Sequence, residues 1–443
     1  MTKKLTALLL ALALGIAPAN AALPPKAPAK SGPPVIGSGG GVLIGPTLPT
    51  EHSHYAVLID AVTGKVLWGR NENVRRPMAS TTKMMTALLL LEQGHLNDVV
   101  VAPKGVDQVP PDSLHLSPGE KISLHDLLYA MLLRSANDTA VAGAHYLAGS
   151  VPAFVALMNQ KAKEIGAANT HFVTPNGLYA PGHYSTAADL AKIAAYAVNT
   201  QPVFDQIVRT QKYKIRRSMH IYDVWVKNTS DTFLKFFPGA DGIKTGYVHQ
   251  AGHCFVGSAT RQKWRLIAVA LDSGTCREDV ESLLNYGFAN FAPTTVVPQQ
   301  ADVGTVSVPL AAGPAPVQAA GDIRVVLSRW QPRPGFEIRV MPLVPQPAAP
   351  VRRGTKLGTV VVLLDGKMQA MGDAVAARDV PVQVGAALLR TTGRAGLTLL
   401  KEMGVGLCAL ALLTVGGMIY GTAAKNARRR RRRLAARVRG VDS

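Results

Sequence analysis

Hydrophobic positions along this chain fall into blocks of different period, and each block predicts an element. Tyr55-Ala-Val-Leu-Ile-Asp60 and Lys65-Val-Leu-Trp68 read as two β-like runs joined by a turn around Thr63-Gly64. From 79 to 91 the pattern is helical and almost wholly apolar, which predicts a helix buried on most sides, with Pro77 closing the segment before it. Further helices are predicted at 123–134, 137–148, 151–166 and 186–198, with Gly or Pro punctuation between them. After Gly239 the character changes to adjacent strands, around Lys244-Thr-Gly246, Cys254 to Ala259 and Leu266 to Leu271. Strands flanking a helical block predict an α/β layer structure over residues 51–294. Beyond residue 294 the chain turns Val-rich and Pro-rich, with alternating runs at Ile323 to Ser328 and Phe336 to Val340. Asp365-Gly366 has hairpin-turn chemistry, and 295–390 is read as a small all-β domain.

The ends of the chain follow other rules. Lys3 and Lys4, the apolar stretch Leu5 to Ala17 and the small residues Ala19-Asn20-Ala21 predict a signal peptide over 1–21. Residues 22–50 have the Pro and Gly content of a linker. The 403–424 segment carries no charge over 22 residues, which is the length of a membrane-crossing helix. Lys425, Arg428 to Arg433, Arg437 and Arg439 follow it. Such basic tails stay on the cytoplasmic side, so 425–443 is expected inside and the body outside, as a single-pass protein of the cell membrane.

Composition changes this picture little. A chain of 443 residues, 47% hydrophobic and 17% charged, is a folding chain and not a disordered one. The net charge of +20 owes nine of its positive residues to the tail, where a topology signal and anionic lipid contact are favoured over nucleic acid. Three cysteines exclude a disulfide framework, and spacing leaves open whether Cys254 and Cys276 pair.

Candidate chemistry begins at Met78-Ala-Ser80-Thr81-Thr82-Lys83. Side chains three or four apart share a helix face, so only Ser80 can meet Lys83, and Thr81 and Thr82 become packing or helix-start residues. Ser80 at a helix start gains favourable charge and a backbone N–H for an oxyanion, and a buried Lys83 could take its proton. A capping Ser80 with a solvent-seeking Lys83 is the competing reading. Ser135-Ala136-Asn137, at a helix end, offers a hydroxyl for proton relay and an amide for a substrate carbonyl. Lys244-Thr245-Gly246 sets a cation and a hydroxyl on a strand edge, where glycine lets a substrate backbone approach and the two groups can hold a carboxylate.

Together the three motifs resemble those of the penicillin-recognising serine enzymes. Within them the chain resembles the low-molecular-mass penicillin-binding proteins that act as D-alanyl-D-alanine carboxypeptidases. The likeness extends to Ile59 to Leu67, Pro77 to Lys83, Leu132 to Asp138, Gly177 to His183 and Gly239 to Gly246. It is good over 53–290 and weak over 320–380. It implies a penicillin-binding-protein/β-lactamase-like transpeptidase fold, a helical block on a mainly antiparallel sheet, followed by the β-rich domain and the anchor. It also implies roles. Ser80 attacks the carbonyl between the terminal D-alanines of a peptidoglycan stem peptide, Lys83 is the base, Ser135 relays the proton and Asn137 binds the substrate amide. Lys244 and Thr245 hold the terminal carboxylate, and the N–H groups of Ser80 and Tyr247 form the oxyanion hole. Water hydrolyses the acyl-enzyme, β-lactams acylate Ser80, and neither cofactor nor metal is required.

Three departures from the family pattern stand out. Ala136 replaces a common Gly, and Asn228-Thr229-Ser230 replaces a segment that often holds two asparagines, with a one-residue length difference before Lys244. The anchor reads as a full span and not a surface helix. His249, His253 and Cys254 imitate metal-ligand spacing, but Gly252 and the neighbouring strand argue against a shared helix face. Asp189 and Glu164 read as surface or capping carboxylates, and Gly-x-Ser-x-Gly and His-Glu-x-x-His are absent. The alternatives are a β-lactamase, transpeptidase or endopeptidase on the same fold, or an inactive wall-binding protein.

Overall fold

A computed structural model describes residues 48–219 and 222–383, with residues 418, 422, 425, 426, 428 and 429. The predicted signal peptide, nearly all of the linker, and most of the 403–424 span and basic tail lie outside the described residues. Among the described residues no single helix is long and apolar enough to cross a membrane.

In chain order the first part comprises β1 (Tyr55–Asp60), β2 (Val66–Arg70), α1 (Lys83–Gln93), β3 (Val99–Val101), β4 (Lys121–Ser123), α2 (Leu124–Tyr129), α3 (Asn137–Ala148), α4 (Val151–Ile165), α5 (Ala187–Thr200) and α6 (Pro202–Val208). There follow β5 (Lys212–Ile215), β6 (Val224–Lys227), α7 (Asp231–Phe236), β7 (Ala240–Val248), β8 (Gly252–Arg261), β9 (Trp264–Leu271) and α8 (Cys276–Asn290). The strands β2-β1-β9-β8-β7 form one antiparallel sheet in that order, so β7 is an edge strand.

Alternation along β1 and β9 explains why both runs read as continuously apolar. Val57, Ile59, Ile267, Val269 and Leu271 face the helical block, where α5 packs against β1 and β9. Ala56, Leu58, Leu266, Ala268 and Ala270 face the other way, onto Val280, Leu283 and Leu284 of α8. A sheet covered on both faces has no polar side to display. The α8 helix is absent from the elements predicted above, although its buried Val280, Leu283, Leu284 and Gly287 follow a helical apolar spacing.

Helix α1 lies at the centre of the block, with every residue from Lys83 to Leu90 buried. Each of its Leu and Met side chains contributes roughly 1.5–3 kcal/mol on burial. The start signals of its neighbours are side-chain caps. Ser123, Ser150 and Thr186 accept from Asp126 N, Ala153 N and Asp189 N. The single helix predicted at 123–134 is in fact α2 followed by a π-helical turn over Ala130–Arg134, which ends at Ser135 in the left-handed region with φ +66°.

Helix α8 runs directly into β10 (Phe291–Val297), so the division expected at 294/295 falls within that strand. After β11 (Asp302–Val306) and β12 (Ala315–Ala319) comes β13 (Ile323–Ser328), which pairs with β10. With β14 (Glu337–Pro342), β15 (Lys356–Leu364) and β16 (Lys367–Ala376), the second sheet has the order β11-β12-β16-β15-β14. Asp365 (φ +49°) and Gly366 (φ +72°) make the predicted tight turn between β15 and β16. Val326 of β13 packs with the α8 core, Lys65 Nζ donates to its carbonyl at 2.9 Å, and Trp330 Nε1 donates to Asn290 Oδ1 at 2.6 Å. Cys254 and Cys276 are both free thiols.

Candidate active site

Residues Ala79–Thr82, at the start of the predicted helix, form one turn of 3₁₀ helix that leads into α1. Ala79 stands at φ +50°, and the hydroxyls of Thr81 and Thr82 donate back to Met78 O (2.6 Å) and Ala79 O (2.8 Å). In a 3₁₀ turn residues three apart eclipse one another. Ser80 Oγ and Lys83 Nζ therefore meet at 2.7 Å.

Lys83 is wholly buried and makes two further contacts, to Asn137 Oδ1 (2.7 Å) and to the Asn176 carbonyl (2.6 Å). Asn137 opens α3. Its Nδ2 donates to Pro110 O at 3.0 Å, which fixes the amide orientation and leaves Oδ1 for the lysine. Burial lowers the Lys83 pKa far below that of a free lysine, and the nearby Lys244 cation lowers it further, against the pull of Asp112 and Asp138. A neutral amine has two N–H groups and one lone pair. Asn137 Oδ1 and Asn176 O can only accept, so the lone pair is left for the Ser80 hydroxyl.

Lys244 lies in β7, also buried, and donates to Thr245 O at 2.9 Å. Desolvation pulls its pKa down to about 7, and Asp112 opposes the change. Edge strand β7 runs hard against the turn that carries Ser80, since a Cβ on Gly246 would stand 2.8 Å from Ser80 N. Tyr247, next along, is exposed, its ring 4.5 Å from that of His253 and tilted against it by 36°. Thr245 Oγ1 donates to Thr229 Oγ1 at 2.7 Å. In the Asn228-Thr229-Ser230 segment, Asn228 is buried and spends its amide on Val208 O, Thr210 O and Ser230. Behind these threonines lies a cavity of about 310 Å³, lined also by Phe255, Cys276 and Arg277.

Ser135 is buried beside Asn137, its backbone set by the π-helical turn. Among the described residues its hydroxyl has no hydrogen-bond partner, so the relay drawn from the sequence is not closed to Lys83 in this geometry. Asn137, read from the sequence as a substrate-binding amide, is buried and holds Lys83 through Oδ1. Ala136 is fully buried, with space for its methyl.

Three participants escape the sequence reading of single residues. Asn176 acts through its backbone carbonyl, which no side-chain pattern reports. The exposed Asp112 is hung on Asn137 by its own carbonyl, which accepts Asn137 N at 2.7 Å. His183 reaches Thr82 Oγ1 at 2.9 Å, which makes Thr82 more than a packing residue. The one available signal was the turn chemistry of Pro175-Asn176-Gly177. Gly177, at φ +86°, has no room for a side chain, because a Cβ would stand 2.0 Å from Ala79 O. Gly177→Ala should cost about 3 kcal/mol or more and slow penicillin labelling. Gly149→Ala, at φ +72° with nothing within 4 Å, should cost only about 1 kcal/mol and leave labelling unchanged. Thermal unfolding and labelling rates check both, and equal effects would contradict the tight contact.

Of the decoys, Asp189 is buried in the first turn of α5, where it accepts from Asn169 N, Thr170 Oγ1 and Lys192 Nζ, and Glu164 pairs with Lys161. Among the described residues no group of three or more His, Cys, Asp or Glu side chains could hold a metal ion.

A buried lysine on a serine hydroxyl thus faces a second buried lysine on an edge strand. The family model of peptidase family S11, D-alanyl-D-alanine carboxypeptidase, matches residues 44–275. The D-alanyl-D-alanine carboxypeptidase DacF of Bacillus subtilis is 31% identical over 332 residues, covering 73% of this chain and 85% of that protein. The chain belongs to the D-alanyl-D-alanine carboxypeptidase family. Penicillin binding protein 5 of Haemophilus influenzae has a similar solved structure, with TM-score 0.61, 29% identity, and coverage of 76% of this chain and 99% of that one. A serine-to-alanine mutant of the Streptomyces K15 DD-transpeptidase is similar over 54% of this chain and 99% of its own, with TM-score 0.52 and 32% identity. The family assignment covers both the helical block and the antiparallel sheet that carry the lysines.

Proposed function

We propose that this member of the family is a serine-type D-alanyl-D-alanine carboxypeptidase acting on peptidoglycan stem peptides through an acyl-enzyme on Ser80. The observation that carries the assignment of the nucleophile is the 2.7 Å contact between Ser80 Oγ and the Lys83 amine, whose pKa burial lowers far below that of a free lysine. Ser80 Oγ attacks the carbonyl between the terminal D-alanines, and its proton passes to Lys83. The carbonyl oxygen becomes an oxyanion against the Ser80 N–H and the Tyr247 N–H. Collapse expels D-alanine, whose nitrogen takes the proton back from Lys83. Lys244 and Thr245 hold the terminal carboxylate, with Arg277 on the wall of the adjoining cavity. Water, with Lys83 or Ser135 moving its proton, then hydrolyses the ester. Asn137 serves in two ways, holding Lys83 through Oδ1 and keeping one N–H of its amide for the substrate. β-Lactams, which imitate the dipeptide, acylate the same hydroxyl.

The reading places the catalytic domain, residues 51–294, and the β-rich 295–390 on the extracytoplasmic side. It assigns 1–21 to export, 403–424 to a single span and 425–443 to a cytoplasmic tail, on the sequence arguments given above.

The full chain, incubated with a pentapeptide ending in D-Ala-D-Ala, should release D-alanine. Fluorescent penicillin should label one peptide, the one containing Ser80. Label on any other residue, or no D-alanine, would overturn the assignment. The likeness to a DD-transpeptidase supports a second reading, in which an amine takes the place of water. Transfer of the acyl group to an added amine acceptor, in preference to hydrolysis, would favour it.

A further inference from the structure

The turn that presents Ser80 depends on Ala79, a residue with a side chain held in the left-handed region at φ +50°. That conformation costs about 1–2 kcal/mol and needs something to hold it. Ala79 O accepts the Thr82 hydroxyl at 2.8 Å, and Thr82 Oγ1 lies 2.9 Å from His183 Nε2. On the far side of the ring, Val173 N (2.9 Å) and Thr174 N (3.3 Å) both donate to His183 Nδ1. Two backbone donors on Nδ1 place the ring proton on Nε2. Nε2–H therefore donates to Thr82, whose single proton is left for Ala79 O. Every bond runs the same way, from amide to imidazole to hydroxyl to carbonyl, and such chains strengthen one another. The histidine is buried, and desolvation keeps it neutral, with its pKa drawn down to about 4.

We infer that His183 is a positioning residue for acylation: through Thr82 it fixes the Ala79 peptide, and with it the direction of the Ser80 hydroxyl and N–H. Without the imidazole, the Thr82 hydroxyl is free to turn from Ala79 O. The Ala79-Ser80 peptide then loses the bond that offsets its backbone strain. The histidine touches no reacting atom. This inference rests on the reading of Ser80 as nucleophile.

His183 has a second task that the test must separate. Through Val173 and Thr174 it also braces the loop that brings Asn176 O to Lys83. His183→Gln can set an amide N–H where Nε2 stands while removing the Nδ1 acceptor, and His183→Asn does the converse. In the full chain we would measure three quantities. They are the second-order rate of penicillin labelling, the affinity for a peptide boronate whose tetrahedral adduct places an oxygen at the oxyanion position, and Tm. His183→Asn and Thr82→Val should lose about 10- to 100-fold in both labelling rate and boronate affinity. His183→Gln and Thr82→Ser should keep most of both, although the two histidine variants lose comparable Tm. Equal labelling by the Asn and Gln variants, or losses that follow Tm across all four proteins, would overturn the inference. A wild-type chain that penicillin fails to label at Ser80 would instead overturn the proposed function.

Discussion

Ser80→Ala is expected to abolish both D-alanine release and covalent penicillin labelling, a loss of about 10⁴-fold or more. No neighbour is placed to substitute. The Thr81 and Thr82 hydroxyls are committed to Met78 O and Ala79 O, inside the turn and away from the cleft. Fold and ligand recognition should survive. The variant removes one of three partners of Lys83 and leaves Asn137 Oδ1 and the Asn176 carbonyl in place. A change in stability of about 1 kcal/mol is the expected size for one such bond. The peptide should therefore still bind, with Lys244 and Thr245 holding its carboxylate. Measuring peptide affinity, Tm and label together tests this. Labelling that persisted in the alanine variant would remove Ser80 from the mechanism.

Lys83→Ala is expected to slow acylation by about 10²- to 10⁴-fold, the usual worth of a positioned base. Its signature should be the pH profile. In the wild type, Lys83 must be neutral to accept the proton, so kcat/KM rises as pH climbs through its depressed pKa. Lys244 must be charged to hold a carboxylate, so kcat/KM falls as pH rises above about 7. The two requirements give a bell, whose acid limb belongs to the base and whose alkaline limb belongs to the carboxylate grip. Lys83→Ala should lose the acid limb and keep the alkaline one. Bound substrate carboxylate favours the Lys244 cation, so the alkaline limb of kcat should lie at higher pH than that of kcat/KM. An acid limb that survived in Lys83→Ala would assign the base elsewhere.

How much of this was legible in the sequence depended on whether the signal lay in side chains. The spacing of Ser80 and Lys83 was readable because i and i+3 meet on either an α or a 3₁₀ turn, so the wrong helix type still paired the right residues. The apolar run after Lys83 correctly announced a buried helix. The apolar runs at Tyr55 to Asp60 and Leu266 to Leu271 announced strands of the first sheet, and Asp365-Gly366 announced the hairpin of the second. Backbone-mediated features were invisible. The Asn176 carbonyl, the left-handed Ala79 and the π-helical turn before Ser135 leave no periodic trace. His183 and Thr82 are about a hundred residues apart in the chain, and no local pattern links them. The α8 helix did carry its apolar stripe, but it is interrupted by Glu278, Asp279 and Glu281 at its polar start, and it reads as a surface segment unless the far side of the sheet is known to need a cover.

The direct passage from α8 into β10, locked by Lys65 to Val326 and Trp330 to Asn290, has a mechanical consequence. Among the described residues α8 ends at Asn290 and β10 begins at Phe291, so no loop intervenes between the helix that covers the first sheet and the strand that pairs with β13. On the proposed reading, in which 403–424 anchors the chain, this junction would set the bearing and standoff of Ser80 from the membrane.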